Sequence, residues 1–239
     1  MIVNLTTSES AKCHCRTDHD SNELIIILVC TFHVEVEGHV ESEGGFPECL
    51  EQTSVVVNIS SCDFYNNIAA NAGALRLLGE VSVENTNFVH NSAAGDGGAI
   101  LLATGANLQV HNCSASAGLA DNGGVLFMRA QSLSNITHSN FHDCQAVNGA
   151  CVYVDALVTG TVFEDVFCDG TCGHAKQRGG FIYVGSASTV SMLSCEVKSS
   201  SADQYGGFAF LESDAELSLD SSSVWSFSTN NGGGMRFLL

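Results

Sequence analysis

The chain has 239 residues, with 8 Lys+Arg against 26 Asp+Glu and a formal net charge of −18. That acidity excludes a nucleic-acid phosphate backbone or an anionic membrane surface as the expected partner, and the length suits one elongated domain. Charged residues make up only 14% of the total, so the acidity rides on a Ser/Asn/Gly-rich surface and not on a charge run.

At the N-terminus, Cys13-His14-Cys15 with His19 offers either a metal site or, more simply, a disulfide bracing an end cap; Cys30 and Cys49 belong to the same cluster. Leu24–Cys30 (LIIILVC) is the longest apolar run, far short of the ~20 residues that span a membrane. It follows Asp18, Asp20 and Glu23 where a signal peptide needs a basic start, so it reads as a buried strand. Residues 1–44 are expected to form an irregular cap, and residues 45–239 a repeat domain.

The repeat is marked by Gly-Gly pairs whose landmark glycines are Gly45, Gly73, Gly98, Gly124, Gly149, Gly180, Gly207 and Gly234, at intervals of 28, 25, 26, 25, 31, 27 and 27 residues. Self-similarity at this period means stacked supersecondary units. Each unit opens with period-two alternation (Val57/Ile59, Val81/Val83, Leu108/Val110, Val190/Met192, Leu217/Leu219), the signature of a strand with one buried face. A bulky or sulfur-containing residue follows: Phe64, Phe88, Cys113, Phe141, Phe167, Cys195 or Val224. A polar stretch then leads to Gly-Gly and a second apolar run such as Ala99–Leu102 or Phe181–Val184. No unit has room for an amphipathic helix, so the expected fold is all-β: a single-stranded solenoid with coils of about 25–31 residues, neighbours stacked about 4.8 Å apart. Phe64 and Phe88 are expected to stack, Asn67 and Asn91 to begin an amide ladder, and the glycines to serve positive φ or close approach of coils.

Phe88-Val89-His90-Asn91 followed by Gly97-Gly98-Ala99-Ile100, and Phe64-Tyr65-Asn66-Asn67 followed by Ala72-Gly73-Ala74-Leu75, resemble the paired FxxN and GGAI motifs of polymorphic outer-membrane protein repeats. Later units keep the glycines and lose the asparagine. The resemblance covers roughly residues 45–239. It implies a right-handed parallel β-helix of the pectin-lyase-like kind, used in that family as a surface-exposed adhesive stalk.

Eleven cysteines cannot all pair within one chain. Cys113 and Cys195 are expected to replace Phe in the core column. The overlong step from Gly149 to Gly180 contains Cys168–Gly180 (CDGTCGHAKQRGG), which reads as a loop bulging from the coil. A disulfide Cys168–Cys172 across its base suits an oxidising compartment; Cys168, Cys172 and His174 also offer three soft metal ligands without a fourth, and no metal is expected. His174, Lys176 and Arg178 make a basic cluster on an acidic protein, the best candidate contact site. His90, His111, His138 and His142 read as a side-chain row near the turns, and Glu212, Asp214 and Glu216 as a solvated turn.

Sequons at Asn4, Asn58, Asn112 and Asn135 suit a secreted glycoprotein. The adjacent-aspartate, Gly-His-Gly and Arg-Ile-Lys signatures of polygalacturonases are missing, as are a nucleophile elbow and a phosphate loop. The chain is therefore expected to be non-catalytic, without a cofactor: a cell-surface or secreted, adhesin-like module binding a glycan or cell-surface protein, with no direct membrane insertion. The alternatives are a pectin-lyase-like polysaccharide-degrading enzyme and a purely structural wall or coat component. Ending at Leu239 just past a Gly-Gly landmark, the chain is expected to be a fragment whose open coil permits end-to-end self-association.

Overall fold

The computed structural model describes residues 56–168, 170–231 and 233–237, together with four short N-terminal strands, Ile2–Thr6, His14–Cys15, Leu28–Val29 and Glu35–Glu37. The cysteines at 13, 30 and 49, and His19, lie outside the described residues. So does most of the Leu24–Cys30 run.

Each coil contributes one short strand to each of four parallel sheets. In the second coil these strands are Glu80–Glu84, Asn87–Val89, Ser92–Ala93 and Ile100–Leu102. Seven rungs stack in this way, giving a parallel β-solenoid of about six turns of about 27 residues. The first sheet has nine strands, because Ile2–Thr6 lies parallel on Val56–Ser60 and carries Glu35–Glu37 antiparallel on its other side. The N-terminal segment thus extends the first sheet.

A residue in the left-handed region turns the chain at every corner. Ser61, Asn85, Asn112, His138, Asp165, Ser194 and Ser221 do so at the first corner, with φ between 49° and 56°. Asn66, His90, Ala117, Asp143, Gly170, Ser199 and Ser226 do so at the second. Gln131, Leu157, Ala187 and Asp214 share the fourth corner with Gly79 and Gly105. Asn, Asp, Ser and Gly tolerate this conformation best, which is why the turns are rich in them. It costs an ordinary L-residue about 1–2 kcal/mol. The cost is offset because the corner amide still reaches the next coil: Asn85 N donates to His111 O at 3.0 Å, and His138 N to Glu164 O at 3.0 Å.

The two glycines of a pair have separate tasks. The first supplies the left-handed turn, as at Gly97 (φ 68°). The second allows coils to touch: a Cβ on Gly98 would overlap the carbonyl oxygen of Gly124 in the next coil. Gly149, with φ 57°, is a first glycine, so Ala150 and not Gly149 corresponds to Gly124.

Inward residues fill the coil as the alternation predicts. Val81, Val83, Leu108, Val110, Val190 and Met192 are buried in the first sheet. Register places Phe64, Phe88, Ala115, Phe141, Cys168, Val197 and Val224 in one column of the second sheet. Phe64 and Phe88 stack at 5.1 Å between centroids and 6° between planes, an arrangement worth about 0.5–1.5 kcal/mol beyond its burial. Ala115 interrupts the aromatics and leaves a void of about 20 Å³ beside Phe88, Cys113 and Phe141.

Two sequence assignments are corrected by this register. Cys113 and Cys195 do not replace phenylalanine; they lie at the first corner, in a column with Cys62, Thr86 and Ser139. There Cys113 Sγ donates to His111 O at 3.3 Å, as Thr86 Oγ1 does to Glu84 O at 2.8 Å. These thiols act as hydroxyl equivalents that bond the carbonyl two residues back. Phe167 is likewise not in the aromatic column. It aligns with Asn140 and Glu196 and is exposed.

The glycine division of labour gives opposite expectations for two small substitutions. Gly98→Ala should destabilise by at least about 2 kcal/mol, because the obstacle is backbone. Ala117→Gly should stabilise by about 0.5–1 kcal/mol, the left-handed penalty less the entropy of glycine. Urea midpoints of the two variants check both signs.

Candidate functional site

The third sheet carries a column of small inward residues. Ala93, Ala120, Ala146, Ala175 and Ala202 stack inward and are buried. Period two then sends Ser92, Leu119, Gln145, His174 and Ser201 outward in a second column. Between coils two and five this outer face forms an open groove of about 200 Å³, lined by Leu119, Asp121, Gln145, Val147, His174 and Lys176 among others.

Hydrogen bonding fixes the histidine at the coil-five end of the groove. His174 Nδ1 lies 2.9 Å from Ser201 Oγ, and Nε2 lies 3.6 Å from a carboxylate oxygen of Asp203. The ring is half-buried and therefore presents a fixed edge, while Lys176, two residues along the same strand, is exposed. Leu119 adds an apolar wall that is 48% exposed. Such a groove offers a cation, an imidazole, an amide, a carboxylate and an apolar contact within one short stretch of sheet.

Arg178, expected in the same cluster, is elsewhere. A one-residue bulge between Ala175 and Arg178 turns it toward the fourth sheet, where its guanidinium carbon sits 5.1 Å over the Phe210 ring. Its backbone pairs with Tyr205 and accepts the amide of Gly149 at 2.8 Å. Arg178 is a clamp between coils and not a groove residue.

The expected bulging loop is mostly strand: Gly173–Arg178 is a full member of the third sheet. From Phe141 to Cys144 is three residues, whereas from Cys168 to its equivalent Gly173 is five. The second corner is therefore widened by two residues, and the bulge adds a third. Cys168 and Cys172 span the widened corner as a disulfide with Cα atoms 5.1 Å apart. A second disulfide joins Cys144 and Cys151, Cα atoms 5.0 Å apart, and was not expected from sequence. Because His174 points outward and the cysteines inward, the ligand set Cys168, Cys172 and His174 is not assembled.

The histidines do not form one row. His111 and His138 meet edge to face at 5.1 Å near the first corner, and His138 Nε2 approaches Asp165 at 3.4 Å. His90 turns the second corner, and His142 lies beside Asp143 at 3.5 Å. Asp214 and Glu216 are exposed, as a solvated turn requires, whereas Glu212 accepts the Tyr183 hydroxyl and, at 2.9 Å, that of Ser186.

That tyrosine belongs to a feature missed by sequence reasoning, a stack on the outer side of the fourth sheet. Phe127, Tyr153, Tyr183 and Phe210 follow one another at 5.0, 4.4 and 5.3 Å. The available signal was that each is the third residue after the second glycine position. Burial raises the pKa of Tyr153 and of Tyr183, and it raises the Cys113 thiol to about 11 and the Cys195 thiol as well. All four groups are held protonated at neutral pH, the opposite of an activated nucleophile.

Of the sequons, Asn58 and Asn135 project from the outer side of the first sheet, in line with Ser82 and Gln109. Asn112 sits at the first corner and donates Nδ2 to Asn85 Oδ1 at 2.7 Å. Asn4 lies in Ile2–Thr6, in register with Asn58.

Comparison of the chain with family models, with curated proteins and with solved structures gives no match in any of the three. The groove must be read from its own chemistry.

The thiol at Cys113 provides a check on this packing. With its pKa raised to about 11, the reactive thiolate is scarce at pH 8. Native protein should leave Cys113 unalkylated by iodoacetamide, and urea should expose it to complete reaction, read by peptide mass mapping. Rapid native labelling would contradict the described core.

Proposed function

We propose that this chain is a non-catalytic, adhesin-like β-helix module of a secreted or cell-surface protein, binding a glycan or protein through the groove on its third sheet. The observation that carries this reading is the pairing of His174 and Lys176 on one outward face, above a wall of Leu119 and beside Asp121 and Gln145. A rigid sheet presents these groups at the strand spacing of about 4.8 Å, which favours an extended ligand laid across successive coils. Two disulfides suit an oxidising compartment, and the sequons of the outer first sheet suit a glycoprotein.

Kinship with polymorphic outer-membrane protein repeats is part of the same proposal. It is supported by the roles of the motif residues. In FxxN the phenylalanine stacks, as Phe64 does on Phe88, and the asparagine is buried in a ladder, where Asn67 Nδ2 donates to Asn91 Oδ1 at 2.8 Å. In GGAI the glycines make the third corner and the close approach of coils.

Deleting residues around His174 would remove a strand of the sheet, so point substitutions are the proper test. His174→Ala with Lys176→Ala should lower binding to a glycan array or to intact cells at least tenfold, with the urea midpoint almost unchanged. Arg178→Ala should do the reverse, weakening the fold and sparing affinity per folded molecule. Equal binding by the His174/Lys176 variant and the parent chain would remove the groove from the account. Release of unsaturated or reducing ends from polyuronates with calcium would favour the enzyme alternative instead.

A further inference from the structure

Coils four and five bring four cysteines to one place in the core. Cys144 lies just past the second corner of coil four, and Cys151 lies just before Val152–Val154, the fourth-sheet strand of that coil. Cys168 and Cys172 flank the widened corner of the next coil. All four are buried. The sulfurs of Cys151, Cys168 and Cys172 lie within 4.8 Å of one another, and Cys144, bonded to Cys151, stands next to this group as the fourth thiol that reduction would free. Cys113 and Cys195, equally buried, remain at the first corner and bond to carbonyl oxygens.

We propose that, when its two disulfides are reduced, this cluster binds one zinc ion through four thiolates. A tetrahedral zinc with Zn–S bonds of about 2.3 Å needs sulfurs about 3.8 Å apart, within the span the three sulfurs already keep. Cys168 and Cys172 have the ligand spacing of one half of a structural zinc site, and Cys144 and Cys151 supply the other half from the neighbouring coil. The site is closed and dry, as structural zinc sites are. The widened second corner of coil five is where such a centre would take over a structural hold. Two extra residues there are held by the Cys168–Cys172 link, and reduction removes that link unless a metal replaces it.

The chemistry balances simply. Reduction of the two disulfides takes four electrons from two equivalents of an added phosphine, which leave as the phosphine oxide with oxygen from water, and four protons from two waters, giving four thiols. Zinc binding then breaks four S–H bonds, forms four Zn–S bonds and releases four protons to solvent, so affinity rises with pH. No electron moves in this second step.

The full chain, reduced with a phosphine under argon, is titrated with cobalt(II) and then with zinc. The expected result is one equivalent of cobalt showing thiolate charge transfer and the strong visible bands of a tetrahedral site, bleached by one equivalent of zinc. Cys113→Ser should keep this spectrum, and Cys168→Ser with Cys172→Ser should lose it. Should that double variant fail to fold, the parent chain with disulfides intact serves as the comparison and must take up no cobalt. A reduced chain without a saturable tetrahedral spectrum overturns the proposal. So does the same spectrum from the oxidised chain, since the ligands would then lie elsewhere.

Discussion

A left-handed residue at each corner, still hydrogen-bonded to the coil beyond it, is the constraint on which the rest of this molecule depends. It bends the chain without interrupting the ladder between coils. The corner amides continue the pattern of the sheets, with Asn112 N on Thr137 O at 3.1 Å and Asp165 N on Leu193 O at 3.0 Å. Strands of two to six residues suffice because the hydrogen bonding is continuous around the coil. The third corner adds a steric demand. Successive coils approach there through Gly73, Gly98, Gly124 and Ala150, and a side chain at Gly98 would strike the backbone. The Gly-Gly period is therefore a record of where the backbone turns and touches.

Inside this frame the core tolerates wide variation in size and admits polar side chains. The aromatic column accepts Phe64, Phe88, Ala115 and then Phe141. The first corner accepts thiol or hydroxyl because either can bond the carbonyl two residues earlier; Ser139 Oγ donates to Thr137 O at 2.8 Å and takes the amide of Cys113 at 3.2 Å. Ser134 and Thr161, which stand where other coils place Val or Leu, direct their hydroxyls at the sulfur of Met128. These polar residues of the core are each answered by a carbonyl, an amide or a sulfur, whereas the buried Ser200 hydroxyl has no such partner.

These rules explain what sequence could and could not reveal. The period, the alternating strands, the Phe64–Phe88 stack and the Asn67–Asn91 ladder were legible because coils one and two repeat the same residue types at the same offsets. The register was lost at coil three, where Ala115 takes the phenylalanine position and a nearby cysteine mimics a substitute. It was lost again at coil five. There Phe167 is exposed one residue before the true column position, Cys168, and three added residues resemble a loop. A corner widened by two residues and a strand with one bulge look alike in sequence but place side chains differently, for a shift of one residue moves a side chain to the other face. Thus His174 and Lys176 reach the groove while Arg178 turns to Phe210.

The binding account rests on coil five keeping register with coil four despite its added residues. An engineered cross-link reads this directly. In the chain carrying Gln145→Cys and His174→Cys, mild oxidation should join the two new thiols, since these positions are register neighbours in the third sheet, and tryptic mapping should recover the linked peptides. Failure of that pair to form, with ready cross-linking of Gln145→Cys to Lys176→Cys, would mean a shifted strand, and the groove described here would not exist.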